Sequence, residues 1–153
     1  MITVFFKKLV DNAVIPTVAH GGYADNSGAD LVATEGTVIE PGKVVAVSTG
    51  LAIELPICFE AQIRPRSGMG KKGILIPNSP GTVDPSYRGE IKVLLLNTTE
   101  APFTVNAGDR IAQIVVARYE PVEWVECHGE LTQTRRGVGG FGSTGLKSEV
   151  GGV

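Results

Sequence analysis

The sequence has few of the residues that would place it in a specialised class of protein. Its 2 cysteines, Cys58 and Cys127, are too few and too far apart for a disulfide framework, so we expect reduced, half-buried thiols. No apolar run approaches the roughly 18 residues of a membrane-spanning helix. In the opening segment MITVFFKKLV the lysines follow the apolar residues, the reverse of a signal peptide. These features predict a cytoplasmic or otherwise intracellular protein without a membrane partner.

The chain also lacks an excess of either charge. Its formal net charge is -2 over 153 residues, which excludes a nucleic-acid-binding protein that works through overall positive charge. The hydrophobic content of 42% and charged content of 20% are typical of a globular protein. A chain of this length is large enough to form one domain with its own core.

The periodicity of the apolar residues predicts strands nearly throughout. FEAQIR (Phe59–Arg64) alternates apolar and polar residues, as in a strand with one buried face. Segments 90–97 and 110–119 are richer in apolar residues and suit strands covered on both sides. Segments 43–48 and VEWVE (122–126) complete the pattern of strands, and we expect Trp124 in the core. Glycine and proline mark the turns between them. The prediction is an all-β fold, a distorted jelly-roll-like sandwich or barrel.

One short helix is expected in SGMGKKGI, which begins at Ser67. Ser67 can act as an N-cap, and the free N–H groups of the first turn would suit an anion. The surrounding residues 61–83 contain no acidic side chain but include the cations Arg64, Arg66, Lys71 and Lys72. These cations predict a phosphate-binding segment, and the alternative is a solvated basic loop.

The C-terminal segment RGVGGFGSTG (136–145) has the composition of a phosphate-binding loop. Its 5 glycines let backbone N–H groups approach a ligand, and Arg136, Ser143 and Thr144 add donors. It lacks the lysine of a Walker A loop. Phe141 would stack on a base or, alternatively, fold back on the domain surface. Because 7 of the residues 132–153 are glycine, we expect a core domain over 1–131 and a mobile arm over 132–153 that a ligand holds in place.

Five segments in order resemble the motifs of the trimeric dUTPase family. They are SGADLVA (27–33), RPRSGMGKKGI (64–74), NSPGTVDPSYRGEIKV (78–93), AGDRIAQIV (107–115) and RGVGGFGSTG (136–145). The resemblance implies Mg²⁺-dependent hydrolysis of dUTP to dUMP and pyrophosphate, which keeps uracil out of DNA and supplies dUMP. It implies that Asp84 activates the water that attacks the α-phosphorus. The structural alternative for Asp84 is a cap on the turn before Pro85.

The resemblance also implies the remaining site residues. Asp30 would support the site, and no protein side chain would ligate Mg²⁺, which would be bound by substrate phosphates and water. The implied phosphate ligands are Arg66, Ser67, Gly68, Gln113, Arg136, Gly142, Ser143 and Thr144. The implied uracil and deoxyribose contacts are Asn78, Gly81, Tyr87, Lys92 and Phe141. Tyr87 would exclude a ribose 2′-hydroxyl, and backbone groups of the 78–93 hairpin would reject cytosine by leaving polar groups unpaired.

The family is trimeric, so the resemblance implies a homotrimer in which the arm of one chain closes over a site built by the others. Two positions depart from the usual motifs, Ser27 and Ser86, and neither carries an assigned role. The competing interpretations are a dCTP deaminase, which would use a glutamate and lack the arm, and a regulatory nucleotide-binding protein, which would leave Asp84 unexplained. A metal site in ECHGE (126–130) is poorly supported, because it offers one cysteine and one histidine without a second pair.

Overall fold

The structure, a computed structural model, describes residues 2–18 and 22–140. Contacts between Cα atoms divide the chain into two compact units, Met1–Pro121 and Val122–Val153. All regular elements of the described residues lie in the first unit and, apart from one short α-helix and one 3-10 turn at Gly22–Ala24, they are strands. The predicted all-β fold with one short helix is therefore confirmed.

The elements follow one another closely along the first unit. The α-helix α1 is Ser67–Lys71. The strands are β1 Phe5–Lys8, β2 Thr17–Val18, β3 Ala29–Val32, β4 Thr37–Ile39, β5 Val44–Ser48, β6 Leu51–Glu54, β7 Phe59–Arg64, β8 Ile74–Leu75, β9 Gly81–Val83, β10 Lys92–Asn97, β11 Phe103–Val105 and β12 Arg110–Arg118.

The largest sheet of the described residues has five strands in the order β2-β3-β12-β7-β9. The others have the orders β5-β10-β8, β1-β6 and β11-β4, and every strand pair is antiparallel. Neighbours in the large sheet come from distant parts of the sequence, because β12 pairs with both β3 and β7. This order brings the first, second and fourth motifs side by side.

The described residues share one hydrophobic core, and most of its buried members come from strands β3 to β12. Ala13, Ala33, Leu55, Ile76 and Ile91 add to it from the connecting segments. Leu31, Leu51, Ile74 and Leu95 are fully buried. Strand β7 buries Ala61 and Ile63 and leaves Gln62 and Arg64 half-exposed, so the predicted alternation is confirmed from Ala61 onward. Phe59, which was expected on the buried face, is half-exposed at the start of the strand. Strand β10 differs from the prediction, because it also alternates and leaves one face half-exposed in the single chain.

Helix α1 lies at the predicted place but begins differently. Ser67 is its first helical residue, and the N-cap is Arg66, which has extended backbone angles and makes no side-chain capping hydrogen bond. The carbonyl of Arg66 accepts the N–H groups of Met69 and Gly70. Met69 packs against the core and holds the helix on the domain. The prediction of Ser67 as N-cap was therefore wrong by one residue, because Pro65 and Arg66 leave the strand before the helix turns.

The second unit has no regular helix or strand in its described residues, 122–140. The predicted strand at 122–126 is therefore wrong, and so is the expected burial of Trp124, which is 93% exposed. Alternation of Val122, Trp124 and the glutamates favours a strand only where a neighbouring strand supplies hydrogen bonds. Both cysteines are free, as predicted; Cys58 is half-buried, whereas Cys127 is exposed. In the described part of the chain, we find no helix with the length and apolar character required to cross a membrane.

Candidate active site

The 78–93 hairpin forms a cleft of about 520 Å³, which we call the hairpin cleft. Five of the residues singled out from the sequence line it together: Asn78, Gly81, Asp84, Tyr87 and Lys92. Gly81 is buried, and a Cβ added there would lie 3.0 Å from Nδ2 of Asn78. The expected contacts to a base and a sugar thus share one concave surface with the expected catalytic carboxylate.

A tight turn after β9 shapes the rim of the cleft. Pro85 follows Asp84, and the N–H of Tyr87 donates to the carbonyl of Asp84 at 3.1 Å, which closes a four-residue turn. The Tyr87 ring then lies over Gly89, where an added Cβ would collide with the ring and its hydroxyl group. The same hydroxyl donates to the carbonyl of Glu90 at 2.9 Å. A larger residue at position 89 would therefore have to displace the Tyr87 ring from this position.

The chain returning from this turn is held on the segment around Gly50. The N–H of Ile91 donates to the carbonyl of Leu51 at 2.7 Å, and Oγ1 of Thr49 donates to the carbonyl of Ile91 at 2.6 Å. The N–H of Gly50 donates to Oε1 of Glu90 at 2.9 Å. The rim of the cleft is thus tied to the core, since Thr49 and Leu51 are fully buried.

The carboxylate of Asp84 is available to a ligand. Asp84 is exposed, and its side chain makes no hydrogen bond or ion pair to any other residue that the structure describes. Its backbone carbonyl, rather than its carboxylate, closes the turn to Tyr87. The alternative interpretation of Asp84 as a side-chain cap of this turn therefore has no support in the geometry.

A second group of site residues, which we call the Asp30 cluster, consists of Asp30, Arg66, Arg110 and Gln113. It is assembled by the register of the large sheet. Gln113 of β12 lies opposite Asp30 of β3 on one side and opposite Arg64 of β7 on the other. Directly opposed residues of antiparallel strands project on the same face. The loop after Arg64 then brings Arg66 to the same face.

Both carboxylate oxygens of Asp30 are bound by arginines. Oδ1 lies 2.7 Å from Nε of Arg66, and Oδ2 lies 3.1 Å from Nη1 of Arg110. Nη1 of Arg66 also donates to the carbonyl of Arg110 at 3.3 Å. The Asp30 side chain is 14% exposed, whereas those of Arg66 and Arg110 are 28% and 56% exposed. Two guanidinium groups are thus oriented by one half-buried carboxylate and still reach solvent.

Gln113 is held in place from two directions. Its Nε2 donates to the carbonyl of Pro65 at 2.9 Å, which connects β12 to the loop that carries Arg66. A Cβ added at Gly28 would collide with Oε1 of Gln113, so a larger residue at position 28 would require the Gln113 side chain to move. The sequence alone predicts that Gln113 faces outward from a strand. The register of β12 with β3 and β7 is what makes Gln113 part of the Asp30 cluster.

Ser67 and Gly68 lie in the first turn of α1, beside Arg66. The first N–H groups of a helix have no intrahelical acceptor. A Cβ added at Gly68 would meet no atom within 4 Å, so packing within the described chain does not require glycine there. Close approach of a ligand to the backbone would explain glycine at position 68, whereas the fold alone does not explain it.

Arg136 lies in the second unit, in a turn of its own. Its Nε donates to the carbonyl of Gly139 at 2.8 Å, and the N–H of Gly137 donates to the carbonyl of Thr134 at 3.1 Å. Gly137 has a φ of 51°, which favours glycine. Four further predicted contacts, Phe141, Gly142, Ser143 and Thr144, lie outside the described residues.

Two residues of the site were missed from the sequence. Arg110 belongs to the fourth motif, three positions before Gln113. Strand alternation alone would place the two side chains on opposite faces. The register shift between Arg110 and Ala112, which the local sequence does not indicate, accompanies the contact of Arg110 with Asp30. Glu90 belongs to the third motif, and nothing in the local sequence indicates that its carboxylate reaches Gly50. That contact joins positions 40 residues apart and depends on the pairing of the strands.

The described residues thus define a jelly-roll-like all-β protein with a cleft in one hairpin, a carboxylate that has no partner among them, and arginines oriented by Asp30. The chain belongs to the dUTPase family, because the family model for dUTPase matches residues 13–145. It is 56% identical over 134 residues to the deoxyuridine 5'-triphosphate nucleotidohydrolase of Solibacter usitatus, covering 87% of this chain and 89% of that protein. It is 51% identical over 143 residues to that of Hydrogenobaculum sp., covering 92% and 96%.

Solved structures confirm the fold. A mutant dUTPase of Staphylococcus bacteriophage 80alpha, solved with dUpNHpp, superposes with a TM-score of 0.86 at 23% identity, covering 94% of this chain and 99% of that chain. A mutant dUTPase of phage phi11 of S. aureus, described as coordinating a structural Mg(II) ion, gives a TM-score of 0.76 at 20% identity, covering 85% and 99%.

Proposed function

We propose that the chain hydrolyses dUTP to dUMP and pyrophosphate, which removes dUTP from the pool used for DNA synthesis and supplies dUMP. The observation that carries this proposal is the hairpin cleft. It brings the buried Gly81, the Asn78 side chain, the exposed Tyr87 ring and the Asp84 carboxylate to one surface. Membership of the dUTPase family supports the same reaction.

Asp84 acts as the general base in this proposal. Its carboxylate has no competing partner among the described residues, so it can accept a hydrogen bond from water and take up its proton. The water oxygen forms a bond to the α-phosphorus, and the bond from that phosphorus to the oxygen bridging to the β-phosphate breaks. Pyrophosphate leaves, and dUMP carries the oxygen of the water.

The Asp30 cluster and the start of α1 bind the triphosphate. Arg66, Ser67, Gly68 and Gln113 are the proposed contacts, and Arg110 adds a second guanidinium in the same cluster. Negative charge develops on the phosphate oxygens during the reaction, and donors oriented in advance stabilise it without further rearrangement. Asp30 supports the site by holding both guanidiniums in position.

The hairpin cleft binds uracil and deoxyribose. Backbone groups near Asn78, Gly81 and Lys92 pair with the edge of uracil, and a cytosine amino group would leave some of them unpaired. The Tyr87 ring packs against deoxyribose, where it excludes a 2′-hydroxyl group. Its position over Gly89 and its hydrogen bond to Glu90 support this role.

Mg²⁺ is the proposed cofactor, and the available donors fit it. No three His, Cys, Asp or Glu side chains cluster anywhere in residues 2–18 and 22–140, and both oxygens of Asp30 already bind arginines. Mg²⁺ commonly takes its ligands from substrate phosphates and water, with little help from protein carboxylates. When bound, it would neutralise charge on the triphosphate.

We propose a homotrimer with shared sites, in which residues 132–153 form an arm that follows a core of 1–131. The arm would contribute Arg136 and the residues Phe141, Gly142, Ser143 and Thr144 to a site on other subunits. Apolar side chains on the surface of the single chain, such as Phe5 at 67% and Ile57 at 84% exposure, support an assembly. A trimer measured by light scattering is the expected result, and a fully active monomer would contradict it.

The proposed partners are therefore dUTP and two further copies of the chain, within the cell. Neither nucleic acid nor a membrane is included, since the net charge of -2 gives no general affinity for polyanions.

The decisive experiment incubates the protein with each deoxynucleoside triphosphate, UTP and Mg²⁺ in ¹⁸O-labelled water. We expect monophosphate from dUTP alone, with the label in dUMP and not in pyrophosphate. Label in pyrophosphate would show attack at another phosphorus and contradict the assignment of the α-phosphate. Ammonia release from dCTP would indicate a deaminase, and tight dUTP binding without turnover would indicate a regulatory protein.

A further inference from the structure

Glu90 joins three parts of the hairpin cleft. Its carbonyl accepts the hydroxyl of Tyr87 at 2.9 Å, and its Oε1 accepts the N–H of Gly50 at 2.9 Å. Its Oε2 lies 3.4 Å from Nζ of Lys92. The side chain lines the cleft but is only 23% exposed, compared with 50% for Lys92. Glu90 is therefore placed to connect the sugar-binding tyrosine to the body of the domain.

The Tyr87 ring depends on residue 90 for its position. The bond to the Glu90 carbonyl is the single polar contact of the Tyr87 side chain within the described residues. Gly89 gives the ring a surface to lie on but no side chain to hold it. Since Tyr87 is 45% exposed, packing alone leaves the ring free to tilt about this surface. A shift of the Glu90 backbone would shift the tyrosine hydroxyl with it.

The partner of the Glu90 carboxylate is fixed. Gly50 has a φ of 65°, and a Cβ added there would lie 2.5 Å from Cγ2 of Val10 and 3.0 Å from Cβ of Ala13. Its carbonyl accepts the N–H of Leu9 at 2.8 Å. Gly50 is thus enclosed by neighbouring chain segments. A hydrogen bond from its N–H to a carboxylate is stronger than one between neutral groups.

We propose that Glu90 is a positioning residue that sets the selectivity for deoxyribose over ribose. Its carboxylate is anchored on Gly50, and its carbonyl thereby holds the Tyr87 ring where a 2′-hydroxyl would collide. This inference rests on the proposed function, because it takes Tyr87 as the residue that contacts the sugar. Ile91 keeps its own two backbone contacts to the 49–51 segment, so loss of the carboxylate leaves the strand paired.

The test compares Glu90→Ala and Glu90→Gln with the unchanged protein. The measured quantity is the ratio of kcat/KM for dUTP to kcat/KM for UTP, from pyrophosphate release with Mg²⁺. Glu90→Ala removes the anchor, and we expect the ratio to fall about tenfold, the equivalent of one charge-assisted hydrogen bond. Glu90→Gln keeps an oxygen for the Gly50 N–H, and we expect it to retain most of the selectivity. Glu40→Ala, an exposed position outside the cleft, is the matched control.

A second variant keeps the test valid if Glu90→Ala does not fold. Tyr87→Phe keeps the ring and removes only the hydrogen bond to the Glu90 carbonyl, so its selectivity ratio should also fall. An unchanged ratio in Glu90→Ala or in Tyr87→Phe would overturn the proposal. An equal fall of the selectivity ratio in Glu90→Gln and Glu90→Ala would also overturn the proposal. The ratio would then depend on the ion pair with Lys92 and not on the hydrogen bond from Gly50.

The outcome separates this proposal from the proposed function. If the unchanged protein releases no dUMP from dUTP, the proposed function fails. If it hydrolyses dUTP, rejects UTP and keeps this preference in Glu90→Ala, only the role of Glu90 fails.

Discussion

Asp30 and Asp84 are both proposed site residues, but their carboxylates have opposite surroundings. Asp30 is 14% exposed and binds arginines through both oxygens. Asp84 is exposed and its carboxylate has no partner among the described residues. A carboxylate with both oxygens occupied can orient cations but has little capacity left to bind water. The free carboxylate is the one that can take a proton.

The two aspartates also owe their positions to different parts of the fold. Asp30 is placed by strand register, because β3, β12 and β7 align residues that are far apart in sequence. Asp84 is placed by a local turn at the end of β9, within a single motif. The proposed phosphate-binding cluster therefore depends on the pairing of three strands, whereas the proposed catalytic carboxylate depends on one hairpin. The following predictions test this contrast, in order of decreasing effect.

Asp84→Asn should abolish turnover while nucleotide binding persists. The amide keeps the size of the side chain but cannot take the proton of water, and loss of a general base costs about 10² to 10⁴ in rate. Steady-state kcat and calorimetric affinity for dUpNHpp provide the two measurements. Asp11→Asn, at an exposed position without side-chain contacts, is the control. Retention of substantial activity by Asp84→Asn would reverse the roles assigned to the two aspartates.

Deletion of the residues after Thr134 should lower turnover by about a hundredfold or more, as expected when positioning groups are lost. Every regular element of the described residues lies in the first unit, so the thermal unfolding temperature and the number of chains in the proposed trimer should be unchanged. Deletion of 151–153 is the control, because it removes none of the proposed contacts. Normal dUTP turnover by the chain ending at Thr134 would show that the arm has no part in the site.

Asp30→Asn should raise KM more than it lowers kcat. It removes the charge that orients Arg66 and Arg110, and a hydrogen bond to a charged group contributes about 1.5 to 3 kcal/mol, or roughly 10- to 100-fold. Glu120→Gln is the matched control, because it weakens the exposed pair between Arg118 Nε and Glu120 Oε1 at 3.5 Å. If Asp30→Asn lost kcat with KM unchanged, Asp30 would belong to the chemical step instead.

Gly68→Ala should have the smallest effect, about three- to tenfold in KM. The added methyl group meets no atom of the rest of the described chain within 4 Å, so we expect the loss to report on a ligand and not on packing within that part of the chain. Stability should rise slightly, since alanine favours a helix more than glycine does. Gly70→Ala in the same helix, which is equally open, should keep KM unchanged. A loss of similar size in both variants would indicate a general effect of the helix.

The sequence was sufficient for features that depend on local order. The alternation of FEAQIR predicted β7 to the residue, and the composition around Ser67 predicted α1. The motifs placed five residues in what proved to be one cleft. Each of these predictions concerns residues that are neighbours in sequence or that a single hairpin brings together.

Features that depend on distant pairing were not predicted. The pair between Arg110 and Asp30 joins residues 80 positions apart, and the contact between Glu90 and Gly50 requires the return strand of the hairpin to lie beside another segment. Trp124 shows the opposite error. Its apolar pattern indicates burial, but its side chain is 93% exposed.

The glycine at position 28 limits how this site can be altered. A Cβ there would collide with Oε1 of Gln113, so any larger residue would displace an amide that we propose as a phosphate contact. Attempts to redesign the proposed site should therefore change position 28 only together with position 113. The room that the Gln113 side chain leaves sets this limit.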